Sequence, residues 1–247
     1  MKEFLKLKTD NNEKGYGQFS RTHLMLLGVW LIFIVVYCIV YFHFDSKARN
    51  DIRIAVAVIL LVSDVVKMGV IYFTHQGVIE YLPCELCSFA SYAIAADAFM
   101  SGNNSLFLRE LMVVMFLPAA IMALIFPTTT RLPVINFFTI HQYFYHVLIV
   151  SYILGRFFSG ETIMTYSGLW QSIFAILCLA AVMYVVDRIL KCNFMFLVHD
   201  ENNALLKKIS DTCGGGFRYT LGLVVFSIVA IHVFYGIFKM LEFLFRL

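Results

Sequence analysis

Seven stretches of this chain are each about as long and as apolar as a helix that crosses a bilayer. Such a helix needs about 20 predominantly apolar residues. The stretches fall at roughly 23–43, 52–73, 83–100, 108–126, 137–158, 170–190 and 218–241 of the 247 residues. They use most of the chain and leave no room for a separate soluble domain. The period-two alternation of a membrane β-barrel is absent. The expected fold is therefore an all-α, polytopic helix bundle with seven transmembrane helices over 23–247, preceded by a polar cytoplasmic tail at 1–22. Only 14% of residues are charged and 61% are apolar, and the net charge is +3. An ordinary globular domain is about 25% charged. This balance excludes a disordered chain, a secreted disulfide scaffold and a nucleic-acid-binding module.

The tail lacks the short apolar core and small-residue cleavage site of a signal peptide. Lysine and arginine are more numerous on the side that bears the N-terminus, which predicts a cytoplasmic N-terminus and an external C-terminus in a cell membrane. With seven spans, the loops at 74–82, 127–136 and 191–217 share the N-terminal side. The last of these has room for a short amphipathic helix around Leu205, Leu206 and Ile209, followed by a flexible joint at Gly214–Gly216.

Charged and polar groups inside the spans are costly, so they are candidates for function. Asp64 and Lys67 lie three apart on one face of the second span, as either a packing ion pair or a ligand or proton site. Asp97 in the third span either ends that helix near the opposite surface or acts in a site. His232 in the last span shares a face with Tyr235 and Lys239, as a core histidine or part of a polar pathway.

The densest cluster is Leu82-Pro83-Cys84-Glu85-Leu86-Cys87-Ser88. Pro83 suits a first helical turn, which would put Cys84, Cys87, Ser88 and Ser91 on one stripe. A lone Cys-x-x-Cys reads as a redox pair, as small apolar filler, or as a nucleophile at a helix N-terminus, where the dipole favours thiolate. Zinc needs further ligands at suitable spacing, and the other cysteines supply no second pair. No metal or other cofactor is expected. The fifth span opens with His141-Gln142-Tyr143-Phe144-Tyr145-His146. Its histidines cannot both face one point. Thr139, Gln142, Tyr143 and His146 form a polar stripe that should face the interior. By parity the third and fifth spans enter from the same side, so Cys87 and His146 can meet if those helices are neighbours. A thiol beside an imidazole is the arrangement for acyl transfer. Asn136, Asn193 or the amides at the start of the third span would then stabilise the oxyanion.

These segments resemble the YwaF family of bacterial membrane proteins, which includes animal transmembrane protein 164. Leu82 to Cys87 looks like the family's L-P-L-H-L-C, although Glu85 replaces its histidine. The loop from Phe126-Pro127 to Leu132-Pro133 and the aromatic run to His146 are similar to its entry into the fifth helix. Asn193-Phe194-Met195-Phe196-Leu197 resembles its N-Y-M-F-L. The resemblance covers about residues 60–240. It implies a membrane enzyme acting on phospholipid or acyl esters, with Cys87 as nucleophile and His146 as base. Residues placed near a substrate are Asn136, His141, Gln142, Tyr143, Asn193, Asp64 and Lys67. Two other readings stand beside it: a binding or transport protein built on Asp64, Lys67 and His232, and a thiol-disulfide protein using Cys84 and Cys87. Membrane lipids are the expected partners, and nucleic acid is not.

Overall fold

The computed structural model of the protein describes residues 3–7, 15–100, 103–200 and 204–245. Among these the structure is all-α. Helices α1 (Arg21–His43) and α2 (Ser46–Phe73) follow one another across a short joint and are capped by Ser20 and Asp45. After a short 3-10 turn comes α3 (Leu86–Phe99). One rod follows, made of α4 (Asn103–Leu111), a π turn (Met112–Phe116) and α5 (Leu117–Ile125). Next are α6 (Phe137–Phe158), α7 (Tyr166–Leu190), the short α8 (Ala204–Cys213) and α9 (Gly216–Phe245).

Six helical rods are long and apolar enough to cross a membrane, so the chain is a multi-pass membrane protein. The third expected span, α3, is a 14-residue apolar helix. At 1.5 Å per residue it extends about 21 Å, short of the ~30 Å hydrocarbon core. It begins at Leu86 rather than at Pro83, so Cys84 precedes the helix instead of continuing its stripe. Of the other expected boundaries, that of α2 moved furthest, because Asp45 accepts from the Ala48 amide at 2.8 Å and starts the helix early.

The π turn has a local cause. Pro118 has no amide hydrogen to continue the α ladder, and the Leu117 amide bonds to the Met112 carbonyl, five residues back.

Helix α6 is the hub. It packs on α1, α2, α3 and α5, and nearly all its turns are buried. It meets α1 at Gly155, where a β-carbon would stand 2.9 Å from the Tyr37 ring. That close approach requires glycine. Helices α1 and α9 instead expose Leu24, Val29, Ile32, Val225, Val229 and Phe243, the surface expected against lipid.

The N-terminal tail and three loops gather at one end. The Leu7 amide donates to Gln76 Oε1 at 2.6 Å, the Tyr16 amide to the Leu132 carbonyl at 3.2 Å, and Cys192 Sγ to the Ile79 carbonyl at 3.8 Å. The amphipathic segment after α7 is helical, as α8, and packs on α9. Gly214, Gly215 and Gly216 all have positive φ and turn the chain sharply between them.

Candidate functional site

Glu85 occupies the N-cap position of α3 without a side-chain capping bond, so Cys87 is the second residue of the helix. The Ser88 and Phe89 amides bond back to the Glu85 carbonyl. The Leu86 and Cys87 amides precede these bonds and belong to the group that a helix start leaves without an intrahelical acceptor. From the facing helix, His146 Nε2 lies 3.0 Å from Cys87 Sγ. His146 Nδ1 lies 2.6 Å from the Gln142 carbonyl. A carbonyl oxygen only accepts, so Nδ1 carries the hydrogen. In the neutral ring Nε2 then holds a lone pair and accepts from the thiol.

The pair opens on a cavity of about 480 Å³. One part of its wall is polar, with Lys67, Glu85, Thr128, His141 and Gln142. Most of the rest is apolar and comes from the π turn and α5, from α7 and α9, and from the 194–197 loop. Leu205 and Leu206 of α8 reach the same cavity.

Other expected site residues are placed differently. Asp64 and Lys67 form no ion pair among the described residues. Asp64 is buried and turned toward α3 and α6, where Tyr145 Oη donates to Oδ2 at 2.8 Å and Ser91 Oγ at 3.3 Å. Lys67 lines the cavity and Asp64 does not. His232 is exposed on the outer face of α9. Its Nδ1 donates to the Ile228 carbonyl at 2.8 Å and its ring meets the edge of Trp170, which satisfies it without an interior pathway.

Gln142 and His141 line the cavity, but Tyr143 points to the other side of α6, where its hydroxyl donates to Tyr16 at 3.4 Å. Adjacent residues diverge by about 100° around a helix, so the polar stripe splits between two neighbours. Asn136 is the N-cap of α6, accepting from the Phe138 amide at 2.9 Å and donating to the Lys6 carbonyl at 2.9 Å. Asn193 braces its own loop, accepting from Val198 at 3.0 Å and donating to the His199 carbonyl at 2.7 Å. Both amides are committed to backbone and neither lines the cavity.

Cys84 and Cys87 are free thiols. Burial first, then the Asp187 and Glu85 carboxylates, push the Cys84 thiol up from its ordinary range, which disfavours the thiolate. Among the described residues no group of His, Cys, Asp and Glu is arranged to hold a metal.

A second polar cluster escaped the sequence reading. Asp97 is fully buried and receives Arg156, Arg109 and Tyr152, the last at 2.6 Å. Arg156 Nε also lies 2.9 Å from Glu161 Oε2, and Arg49 Nη1 reaches Glu161 Oε1 at 3.2 Å. Asp97 therefore does not face the surface at the end of α3. Its partner, Arg156, lies near the end of the fifth expected span and was not among the candidate residues. The only signal was its position within an otherwise apolar run.

Helices long and apolar enough to cross a membrane, enclosing a thiol–imidazole pair beside a largely apolar cavity, define a polytopic membrane protein with an internal pocket. The chain belongs to the TMEM164 family, which it matches over residues 18–238. No curated protein and no solved structure matches it.

Proposed function

We propose that this protein is a lipid-modifying enzyme of the cell membrane, an acyltransferase or hydrolase that uses Cys87 and His146 on phospholipid or other acyl esters. One observation carries the reading. Cys87 Sγ is 3.0 Å from a histidine nitrogen whose tautomer is set by the Gln142 carbonyl, and both residues line a cavity with a polar and an apolar part.

The chemistry follows from those atoms. The thiol proton passes to His146 Nε2 as Sγ attacks the ester carbonyl carbon. The oxyanion is held by the Leu86 and Cys87 amides at the positive end of α3. Collapse breaks the ester C–O bond, and the leaving alkoxide takes the proton from Nε2. The acyl group remains on sulfur as a thioester. His146 then removes a proton from a second lipid hydroxyl or from water, which attacks the thioester and restores the thiol. The apolar wall suits acyl chains and Lys67 suits an anionic part of the head group.

The cytoplasmic end is taken to be the one where the N-terminal tail meets the 74–82, 127–136 and 191–217 loops. On its motifs the chain is grouped with the bacterial YwaF proteins. The test is lipid mass spectrometry of cells carrying the wild-type chain or Cys87→Ala. A change in acyl-ester species with the wild type, absent in the variant, supports the reading. Identical lipid profiles with both chains present at equal levels overturn it.

A second reading, a non-catalytic lipid-binding or transport protein, draws on Lys67, a cation on the cavity wall without an ion-pair partner among the described residues. It predicts lipid co-purification that survives Cys87→Ala. The thiol-disulfide reading is weaker, because Cys87 Sγ is directed to His146.

A further inference from the structure

Asp64 is an expensive residue to keep. It sits in a membrane-spanning helix, buried, with no ion-pair partner among the described residues, and its Oδ1 has no hydrogen-bond partner. A carboxylate in such a place is retained when it does something that an apolar residue cannot. It does not line the cavity, so it does not touch a ligand there. Its two donors do reach the candidate site. Tyr145 precedes His146 in α6, lines the cavity, and places its hydroxyl 2.8 Å from Asp64 Oδ2 and 3.4 Å from the Cys87 carbonyl. Ser91 bonds Asp64 and also the Ser88 carbonyl at 2.8 Å, in the first turn of α3. The His141 ring stacks on Tyr145 at 5.3 Å and 18°. One carboxylate on α2 thus joins the turn of α3 that carries the thiol to the turn of α6 that carries the imidazole.

We propose that Asp64 and Tyr145 are a positioning pair, a hydrogen-bonded tie that holds the start of α3 against α6 and so sets the distance from Cys87 Sγ to His146 Nε2. The proposal rests on the Cys87/His146 reading for its activity consequence, but the tie has a consequence in thiol reactivity whatever the reaction. The tie works through hydrogen-bond acceptance, so an amide at position 64 replaces the carboxylate and a hydrocarbon of similar size does not. Both residues serve the Tyr145–Asp64 bond, so the double variant loses no more of that bond than either single variant does.

The experiment uses the full-length protein in lipid vesicles. Iodoacetamide alkylation of Cys87 is followed by peptide mass spectrometry, which separates it from the other cysteines, and lipid turnover is measured in parallel. Tyr145→Phe and Asp64→Leu each slow Cys87 alkylation at least fivefold, toward the rate of His146→Ala. The double variant is no slower than either single one. Asp64→Asn stays within about twofold of wild type, and size-exclusion profiles are unchanged for Tyr145→Phe and Asp64→Asn. Turnover falls in kcat with KM unmoved. Wild-type alkylation in Tyr145→Phe, or losses that multiply in the double variant, overturn the pair. Loss in Asp64→Asn equal to that in Asp64→Leu overturns the acceptor role. If Cys87→Ala leaves lipid turnover unaltered, acyl transfer fails while the alkylation series still decides the tie.

Discussion

Cys87 and His146 stand 59 positions apart in the chain and 3.0 Å apart in space, and Asp97 and Arg156 repeat the same offset ten residues further along both helices. Helices α3 and α6 therefore run parallel in one register, fixed by a thiol–imidazole contact near one end and an ion pair near the other. The ion pair is fully enclosed and also engages Arg109, Tyr152 and Glu161. This geometry separates the residues of the proposed chemistry from those that hold the two helices in register, and each group has its own expected behaviour.

In the proposed acyl transfer, replacing His146 removes the proton acceptor without removing the nucleophile. His146→Gln is expected to lower acyl turnover by about 10²–10⁴-fold, the usual contribution of a general base. Cys87 alkylation slows as well. Steady-state turnover and site-resolved alkylation on the same preparation check it. Turnover at wild-type rate would remove His146 from the mechanism.

Breaking the buried pair leaves an uncompensated charge. Arg156→Met and Asp97→Leu are each expected to destabilise the folded protein by about 3–5 kcal/mol. The double replacement is expected to cost less than the two single costs added together. Thermal unfolding in one detergent, monitored by intrinsic fluorescence, makes the comparison. Full additivity would show that the two residues act independently.

Gly155 is the contact point of α6 and α1. Gly155→Val drives a side chain into Tyr37 and Tyr41 and is expected to cost about 1–3 kcal/mol, as overpacking does. A melting temperature equal to wild type would refute the close approach.

Asn136 serves the start of α6 and not the cavity. Asn136→Ala is expected to lower stability by about 1 kcal/mol through the lost cap, with kcat retained in the protein that folds. A selective loss of kcat at unchanged stability would return it to the list of oxyanion donors.

His232 faces outward on α9. His232→Phe is expected to change neither turnover nor stability beyond about 0.5 kcal/mol, the usual range for surface positions away from special features. A marked loss of lipid binding or turnover would revive the polar-pathway reading.

Much of this was legible in the sequence, for definable reasons. Runs of apolar residues mark membrane helices because the bilayer demands length and backbone satisfaction within each segment. Parity and helical phase allowed Cys87 to meet His146 if the third and fifth expected spans were neighbours, and that adjacency was not legible in the sequence. Partner choice was not legible. Asp64 lies three residues from Lys67 yet bonds Tyr145 and Ser91 on other helices, because a shared helix face does not exclude partners across an interface. Asn136 and Asn193 looked available as oxyanion donors, but cap and loop bonds to backbone depend on where each helix begins. His232 looked interior because a lone histidine in a span is costly. The carbonyl four residues back satisfies it locally. Arg156 lay within the expected fifth span but near its end, and no count along the chain shows that it is buried against Asp97 of another helix.

The group that orients His146 is the Gln142 main-chain carbonyl, supplied by the helix itself. Where a catalytic triad has a third side chain, mutation can delete it and comparison of sequences can find it. Here neither holds. Position 142 can change its side chain and still present the same oxygen, so the orienting element is inherited with the helix rather than with any letter of the sequence. Scanning alanine through this region would miss it, whereas an ester in place of the 142–143 amide, which weakens that carbonyl as an acceptor, would expose it.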